Sequence, residues 1–141
     1  MKKVRVFATG LAAATLLTSA AQVWAHGNVT PQSVDVTGLD PLGEEWREQN
    51  PYSGNELAIE IGKSAYAQNC ARCHGLDAIS GGIAPDLREL APGIDGDEWF
   101  VYRVRNGATR NGVPYMPKMA DFLSQEALWS IRSWLETVAV E

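Results

Sequence analysis

Two cysteines and a histidine lie within five positions, in the stretch "NCARCHG" at 69–75, and the chain has no other cysteine. Cys70, Cys73 and His74 can be joined to each other, to a metal ion or to a covalent group, and each choice demands a different fold. A disulfide between cysteines three apart is strained and typical of thiol oxidoreductases, where it starts a helix of a βαβ unit. Nothing upstream of Cys70 reads as a strand, so a redox disulfide is disfavoured.

A zinc site is also disfavoured, because it needs about four ligands in well-separated pairs and the only other histidine is His26. The pattern Cys-x-x-Cys-His is the attachment signal for c-type haem. Each thiol adds across a vinyl group of the porphyrin, and the next residue brings an imidazole to the iron. We therefore predict one covalent haem c, attached through Cys70 and Cys73, with His74 as an axial ligand.

The second axial ligand decides whether such a protein carries electrons or does chemistry. Met116 and Met119 both lie in "NGVPYMPKMADF". Pro114 and Pro117 flank Met116 and stiffen the loop that presents its sulfur. We predict Met116 as the ligand and keep Met119 as the alternative, since a methionine in such a loop can also simply fill a gap in the core.

The first 25 residues have the three-part layout of a secretory signal peptide. Lys2, Lys3 and Arg5 precede an apolar run that reaches Leu17, and small or apolar residues end at Ala25. The run is shorter than the roughly 20 strongly apolar residues of a membrane span. We predict cleavage after Ala25, a periplasmic location and no stable membrane insertion.

Removal of residues 1–25 leaves 116 residues with nine basic and 17 acidic side chains, a formal charge of −8. That charge makes nucleic acid an unsuitable partner. We divide the remainder into a loop-rich N-terminal extension, 26–53, and a haem domain, 54–141. The extension has no clear period and can be a disordered arm or a partner-facing segment, but Trp46 indicates that part of it packs on the domain. His26 is expected to be an exposed end.

Apolar periodicity predicts three helices, at 55–69, 97–106 and 124–138, with loops elsewhere. Leu57, Ile61 and Ala65 share one face of the first helix, and Gly62 indicates that the last helix approaches closely there. Asp97 and Ser124 are the expected N-caps. A chain this short buries little apolar surface unaided. We therefore predict an all-α fold of three to four helices and long loops wrapped around one covalent haem.

Residues 54–141 resemble the class I c-type cytochromes. The shared features are Gly62 and Tyr66 ahead of "CARCHG", "APDL" at 84–87, a helix ending in "RNG", and "YMP" before a final amphipathic helix. The stretches "TGLDPLGEEWREQNPYSGN" and "QNCARCHGLDAISGGIAPDL" are most similar to the periplasmic cytochrome c that accepts electrons from quinoprotein (PQQ-dependent) alcohol dehydrogenase.

The resemblance implies further residue roles. The first and last helices are expected to cross, with Tyr66 and Trp134 as the aromatic side chains at the crossing. The carbonyl of Pro85 is expected to accept a hydrogen bond from Nδ1 of His74. The candidates for haem propionate contacts are Arg88, Trp99, Tyr102 and Arg110.

Histidine and methionine together leave no open iron position, so we predict a monomeric electron carrier and not an enzyme. By resemblance, its donor is a PQQ-dependent alcohol dehydrogenase and its acceptor a terminal oxidase or another cytochrome. Basic residues bracket the methionine loop and favour docking there: Arg103, Arg105, Arg110 and Lys118. Two alternatives stay open. One is a c-type haem enzyme or gas sensor with an open or labile sixth position, and the other is a tightly bound haem subunit of a dehydrogenase.

Overall fold

The computed structural model describes residues 31–140 and is mostly helical, which confirms the all-α prediction. The helices of this range are α1 (Glu56–Asn69), α2 (Ala71–His74), α3 (Ile94–Asn106) and α4 (Gln125–Thr137). Single 3-10 turns lie at Leu76–Ala78, Leu87–Glu89 and Met119–Asp121. The predicted signal peptide and His26 lie outside the described residues. No helix within 31–140 is long and apolar enough to cross a membrane.

The crossing of α1 and α4 organises the core. Gly62 lies against the backbone of α4, where a Cβ on it would meet the carbonyl oxygen of Ser130 at 1.8 Å. Beside this contact the rings of Tyr66 and Trp134 pack with their centroids 4.5 Å apart. The Gly62 contact is the one that the sequence predicted, and the Tyr66–Trp134 pair is the one that the resemblance implied. Glycine is required here because the two helix backbones touch.

The buried face of α1 differs in part from the predicted one. Leu57 is 39% exposed and Ile61 is half-buried, whereas Ala58, Ala65 and Tyr66 are buried around Gly62. Close approach of α4 selects the small residues for the contact and leaves the two bulky aliphatic side chains at its margin. Where two helix backbones are in contact, the positions of large apolar residues therefore do not show which face of the helix is buried.

Helix α3 begins at Ile94, three residues before the predicted start, and Asp97 is not its cap. Asp97 is instead 4% exposed and accepts a hydrogen bond from Nε of Arg132 over 2.7 Å. Arg132, itself 1% exposed, also donates to the Ala91 carbonyl. This buried ion pair joins α3 to α4. The Ser124 cap of α4, in contrast, is confirmed, since its side chain accepts from the Ala127 N–H.

Residues 31–55, here called the N-terminal strap, lie first against α1, where the Gln32 N–H donates to Asn69, and then along α4. Leu42 is buried, and Trp46 packs against the core from a half-buried position. Backbone N–H groups of the strap donate to side chains of the domain, in the pairs Leu42–Glu126, Arg47–Gln125 and Asn50–Asp97. With α1 and the strap both against it, α4 is buried on nearly all sides. The strap is therefore part of the folded domain.

The loop predicted around Met116 contains a β-hairpin that the sequence reading missed. Strand β1 (Ala108–Arg110) pairs antiparallel with β2 (Val113–Met116). Asn111 and Gly112 join them with φ angles of 52° and 77°. An Asn-Gly pair with two positive φ angles is the strongest short-range hairpin signal, so the turn was present in the sequence.

Candidate functional site

Cys70 joins α1 to α2, and Cys73 and His74 lie on α2 itself. Cys70 caps α1 by donating its N–H to the Tyr66 carbonyl, and its own carbonyl accepts from the His74 N–H over 3.0 Å. Spacing of three and four residues places the three side chains on one helical surface. The thiols are not joined in a disulfide, and burial raises the pKa of the Cys70 thiol to about 12. A thiol held protonated in this way is a poor redox nucleophile.

A backbone carbonyl holds the imidazole of His74. Nδ1 of the ring lies 2.9 Å from the oxygen of Pro85, the contact that the resemblance implied. Because a carbonyl only accepts, Nδ1 carries a proton and donates, and Nε2 is the ring nitrogen that remains for a metal. Such a bond fixes the tautomer and ring orientation of a metal-binding histidine and strengthens its donation.

Asp86 fixes the loop that carries the Pro85 carbonyl. Its carboxylate accepts from the N–H groups of Ser80 and Arg88 and pairs with the Arg88 guanidinium at 3.0 and 2.8 Å. These bonds, above all those from the Arg88 side chain, hold the pKa of Asp86 well below its usual range. The Ser80 hydroxyl donates to the carbonyl of Ala84. The loop is thereby closed on itself immediately beside Pro85.

The backbone that follows His74 is hydrogen-bonded to a side chain of α1. The Tyr66 hydroxyl donates to the carbonyl of Gly75 over 2.8 Å. Gly75 has φ of 84°, and a Cβ on it would meet the Ile79 carbonyl oxygen at 1.8 Å, so no larger residue fits. The turn after the histidine is therefore tight, and its start is tied to the α1–α4 crossing.

A cleft beside the motif brings together side chains from distant parts of the chain. Cys70 and His74 line it from the motif, and Met116 and Met119 line it from the segment before α4. The other lining residues are Leu87, Trp99, Phe100, Arg103, Val104, Leu128 and Ile131. Met119 is buried, whereas Met116 is half-buried at the end of β2.

The donors of this cleft fit a haem. Cys70 supplies a thiol to the cleft, His74 an imidazole, and Met116 and Met119 thioether sulfurs, which are the kinds of group that attach and ligate a c-type haem. Cys73 follows Cys70 at the attachment spacing and is exposed. The mostly apolar lining suits a porphyrin ring, which is itself largely apolar. Arg103 is the one formally charged side chain among the described lining residues, and it offers a counter-charge to a carboxylate.

Of the residues predicted to contact the propionates, Trp99 lines the cleft. Tyr102 is 57% exposed on α3. Arg103 was not among those candidates, although it lines the cleft and its guanidinium lies 5.4 Å from the Trp99 ring and 5.5 Å from the Tyr102 ring. Arg103 follows Trp99 by four residues on the predicted helix 97–106, and this spacing places both side chains on the same face of the helix. That spacing is the feature of the sequence that could have identified Arg103 as a candidate.

The other two candidates lie elsewhere. Arg88 is paired with Asp86 through both Nε and Nη2. Arg110 is exposed on β1, with its guanidinium 5.9 Å from the ring of Tyr115 on β2. Neither arginine lines the cleft. The sequence alone does not distinguish Arg88 and Arg110 from Arg103 as propionate contacts. The partner of Arg88 lies in a turn, and the partner of Arg110 lies on the neighbouring strand.

Comparison with known proteins decides the family. A family model described as cytochrome c oxidase, cbb3-type, subunit III matches residues 57–135, more than half of the chain. The chain is a c-type cytochrome. Its cofactor is covalently bound haem c, and with a single Cys-x-x-Cys-His motif the cytochrome is a single-haem electron carrier. The predicted class I fold is likewise confirmed.

Its relatives cover the chain to different extents. Cytochrome c550 of Pseudomonas aeruginosa PAO1 is 67% identical over 121 residues, which is 83% of each chain. Quinohaemoprotein alcohol dehydrogenase ADH-IIG of Pseudomonas putida is 35% identical over 83 residues, 59% of the cytochrome but only 11% of the dehydrogenase. The solved structure of ADHIIG from strain HK5 matches with a TM-score of 0.52 and 31% identity, covering 72% of the cytochrome and 14% of the dehydrogenase.

Proposed function

We propose that Cys70 and Cys73 carry the haem thioethers and that His74 and Met116 are the two axial iron ligands. The observation that carries this proposal is the apolar cleft in which Cys70, His74 and Met116 meet. Met119 lines the same cleft, but it is buried in a 3-10 turn and belongs to the core cluster. Met116 is the less buried of the two, at the end of a hairpin strand. We assign Met116 to the iron and Met119 to packing.

The residues of the cleft suit one-electron transfer. When bound, the haem supplies the Fe(III)/Fe(II) couple. The Pro85 carbonyl keeps His74 in one tautomer and one ring orientation, so this ligand needs little rearrangement when an electron arrives or leaves. The soft thioether of Met116 favours the reduced state, and the apolar lining excludes water. If His74 and Met116 both bind the iron, they would leave no position on it for a substrate, so we propose a carrier and not an enzyme.

We propose a PQQ-dependent alcohol dehydrogenase as the electron donor and a terminal oxidase or another cytochrome as the acceptor. The similarity to part of two quinohaemoprotein alcohol dehydrogenases supports this donor. A separate cytochrome with a similar haem domain is suited to accept electrons from a dehydrogenase of that kind. The signal peptide at 1–25 would deliver residues 26–141 to the periplasm as a monomer, with the extension at 26–53 and the haem domain at 54–141.

Mixing the oxidised holoprotein with a purified PQQ-dependent alcohol dehydrogenase and ethanol tests the donor. We expect reduction of the haem, followed by its visible absorption in a stopped-flow instrument, only when both dehydrogenase and alcohol are present. A matched control replaces the dehydrogenase with an NAD-dependent one supplied with ethanol and NAD. If ascorbate reduces the haem and the quinoprotein does not, the proposed donor is wrong while the carrier role stands.

A tightly bound haem subunit is the second candidate. It is favoured by the dehydrogenases themselves, in which the region similar to this chain is part of the same polypeptide. Purification at moderate salt separates the two candidates. A transient complex steered by charge dissociates there because salt screens exposed charges, whereas a bound subunit stays with its dehydrogenase.

A further inference from the structure

Tyr115 connects two parts of the molecule that lie far apart in sequence. Its side chain extends from β2, one residue before Met116, and its hydroxyl donates to the carbonyl of Ile83 over 2.6 Å. Ile83 belongs to the loop whose end is Pro85, the residue that holds the His74 ring. One hydrogen bond thus joins the hairpin that ends at Met116 to the loop that orients His74.

No other hydrogen bond among residues 31–140 links the loop at 75–86 with the segment at 107–118. The two ends of the Tyr115 bond are themselves supported. Arg110, on the paired strand, lies over the Tyr115 ring. On the other side, Ser80 and Asp86 close the loop around Ile83. Because the hairpin and the loop are each held in place by other contacts, the Tyr115 bond limits how far the two can move apart.

Packing in the core does not account for a tyrosine at position 115. Its side chain is 49% exposed, and it is not part of the core cluster. The neighbouring residues of the hairpin, Val113 and Pro114, are also exposed. Apart from the Arg110 guanidinium over its ring, the specific contact of this residue is the one that its hydroxyl makes.

We propose that Tyr115 is a positioning residue that latches the Met116 hairpin to the His74 side of the cleft and keeps Met116 on the iron. The inference rests on the proposed axial roles of His74 and Met116. Without the latch the hairpin swings away more often, and the sixth iron position opens for added ligands. A single hydrogen bond of ordinary net strength changes such an equilibrium by roughly 2- to 10-fold.

The test is the rate at which cyanide binds the oxidised holoprotein of the wild type and of Tyr115→Phe, measured at saturating cyanide, where opening of the site limits the rate. We expect the rate to rise about 2- to 10-fold in Tyr115→Phe. Tyr52→Phe is the matched control, because it removes another tyrosine-to-carbonyl bond, that to Asp40 in the strap, away from the cleft. It is expected to lower stability and to leave cyanide entry unchanged.

Three results would overturn the latch, and they can be told apart. An unchanged rate in Tyr115→Phe, with the methionine–iron absorption band present in the wild type, refutes the latch and leaves the proposed ligation intact. Equal acceleration in Tyr115→Phe and Tyr52→Phe shows general loosening instead of a local latch. Absence of the band from the wild type refutes the ligation by Met116 and the latch with it.

Discussion

Replacing Gly62 with alanine is expected to lower the free energy of unfolding of the holoprotein by at least about 3 kcal/mol. The added Cβ would lie 1.8 Å from the oxygen and 2.4 Å from the carbon of the Ser130 carbonyl. These are backbone atoms of α4 and cannot rotate away, so α1 and α4 must separate. Alanine is favoured over glycine in a helix by about 1 kcal/mol, and the clash outweighs that gain.

Urea unfolding followed by circular dichroism measures the loss. Gly81→Ala is the matched control, because its φ lies outside the left-handed region and an added Cβ there meets nothing within 4 Å. That substitution is expected to leave stability nearly unchanged. A Gly62→Ala protein as stable as the wild type would mean that the two helices are not in backbone contact.

Replacing Arg132 with methionine is expected to cost about 3 to 5 kcal/mol. The side chain of Arg132 is 1% exposed and that of Asp97 is 6% exposed. Methionine fills much of the arginine volume but leaves the Asp97 carboxylate buried without its counter-charge. The bond to the Ala91 carbonyl is lost as well. The same unfolding measurement gives the loss.

The double substitution Asp97→Asn with Arg132→Met shows whether the buried charge is the cause. An asparagine at 97 can still accept from the Asn50 N–H, which now donates to Asp97. We therefore expect the double variant to be more stable than Arg132→Met alone. Arg88→Met, which breaks the more exposed pair with Asp86, is expected to have a much smaller effect. Additive losses from Asp97→Asn and Arg132→Met would contradict the explanation by charge pairing.

The parts of the fold that the sequence predicted depend on local patterns. The Cys-x-x-Cys-His motif needs only five neighbouring residues, and the start of α4 is marked by its Ser124 cap. Gly62 was informative for a different reason. A glycine in the middle of a helix is unfavourable by itself, so its presence indicated a close neighbour.

The parts that were missed depend on partners far along the chain. Asp97 looked like a helix cap because the sequence does not show that Arg132, 35 residues later, is buried opposite it. The roles of Arg88 and Arg103 were not separable because the sequence does not show which arginine lines the cleft, whose walls come from distant segments. Tyr115 carried no signal at all, since its partner is a backbone carbonyl 32 residues away. The hairpin differs from these, because its Asn-Gly turn is a local signal that the sequence contains.

The central claim is that His74 and Met116 are the two axial ligands of the haem iron. The absorption spectrum of the oxidised holoprotein tests this claim most directly, through the weak long-wavelength charge-transfer band of a methionine–Fe(III) bond. We predict that the wild type has this band, that Met116→Ala loses it and that Met119→Ala keeps it. A high-spin wild-type spectrum that shifts at once on addition of cyanide, or of carbon monoxide after reduction, would contradict the claim. Such an open iron would instead favour a haem enzyme or a gas sensor.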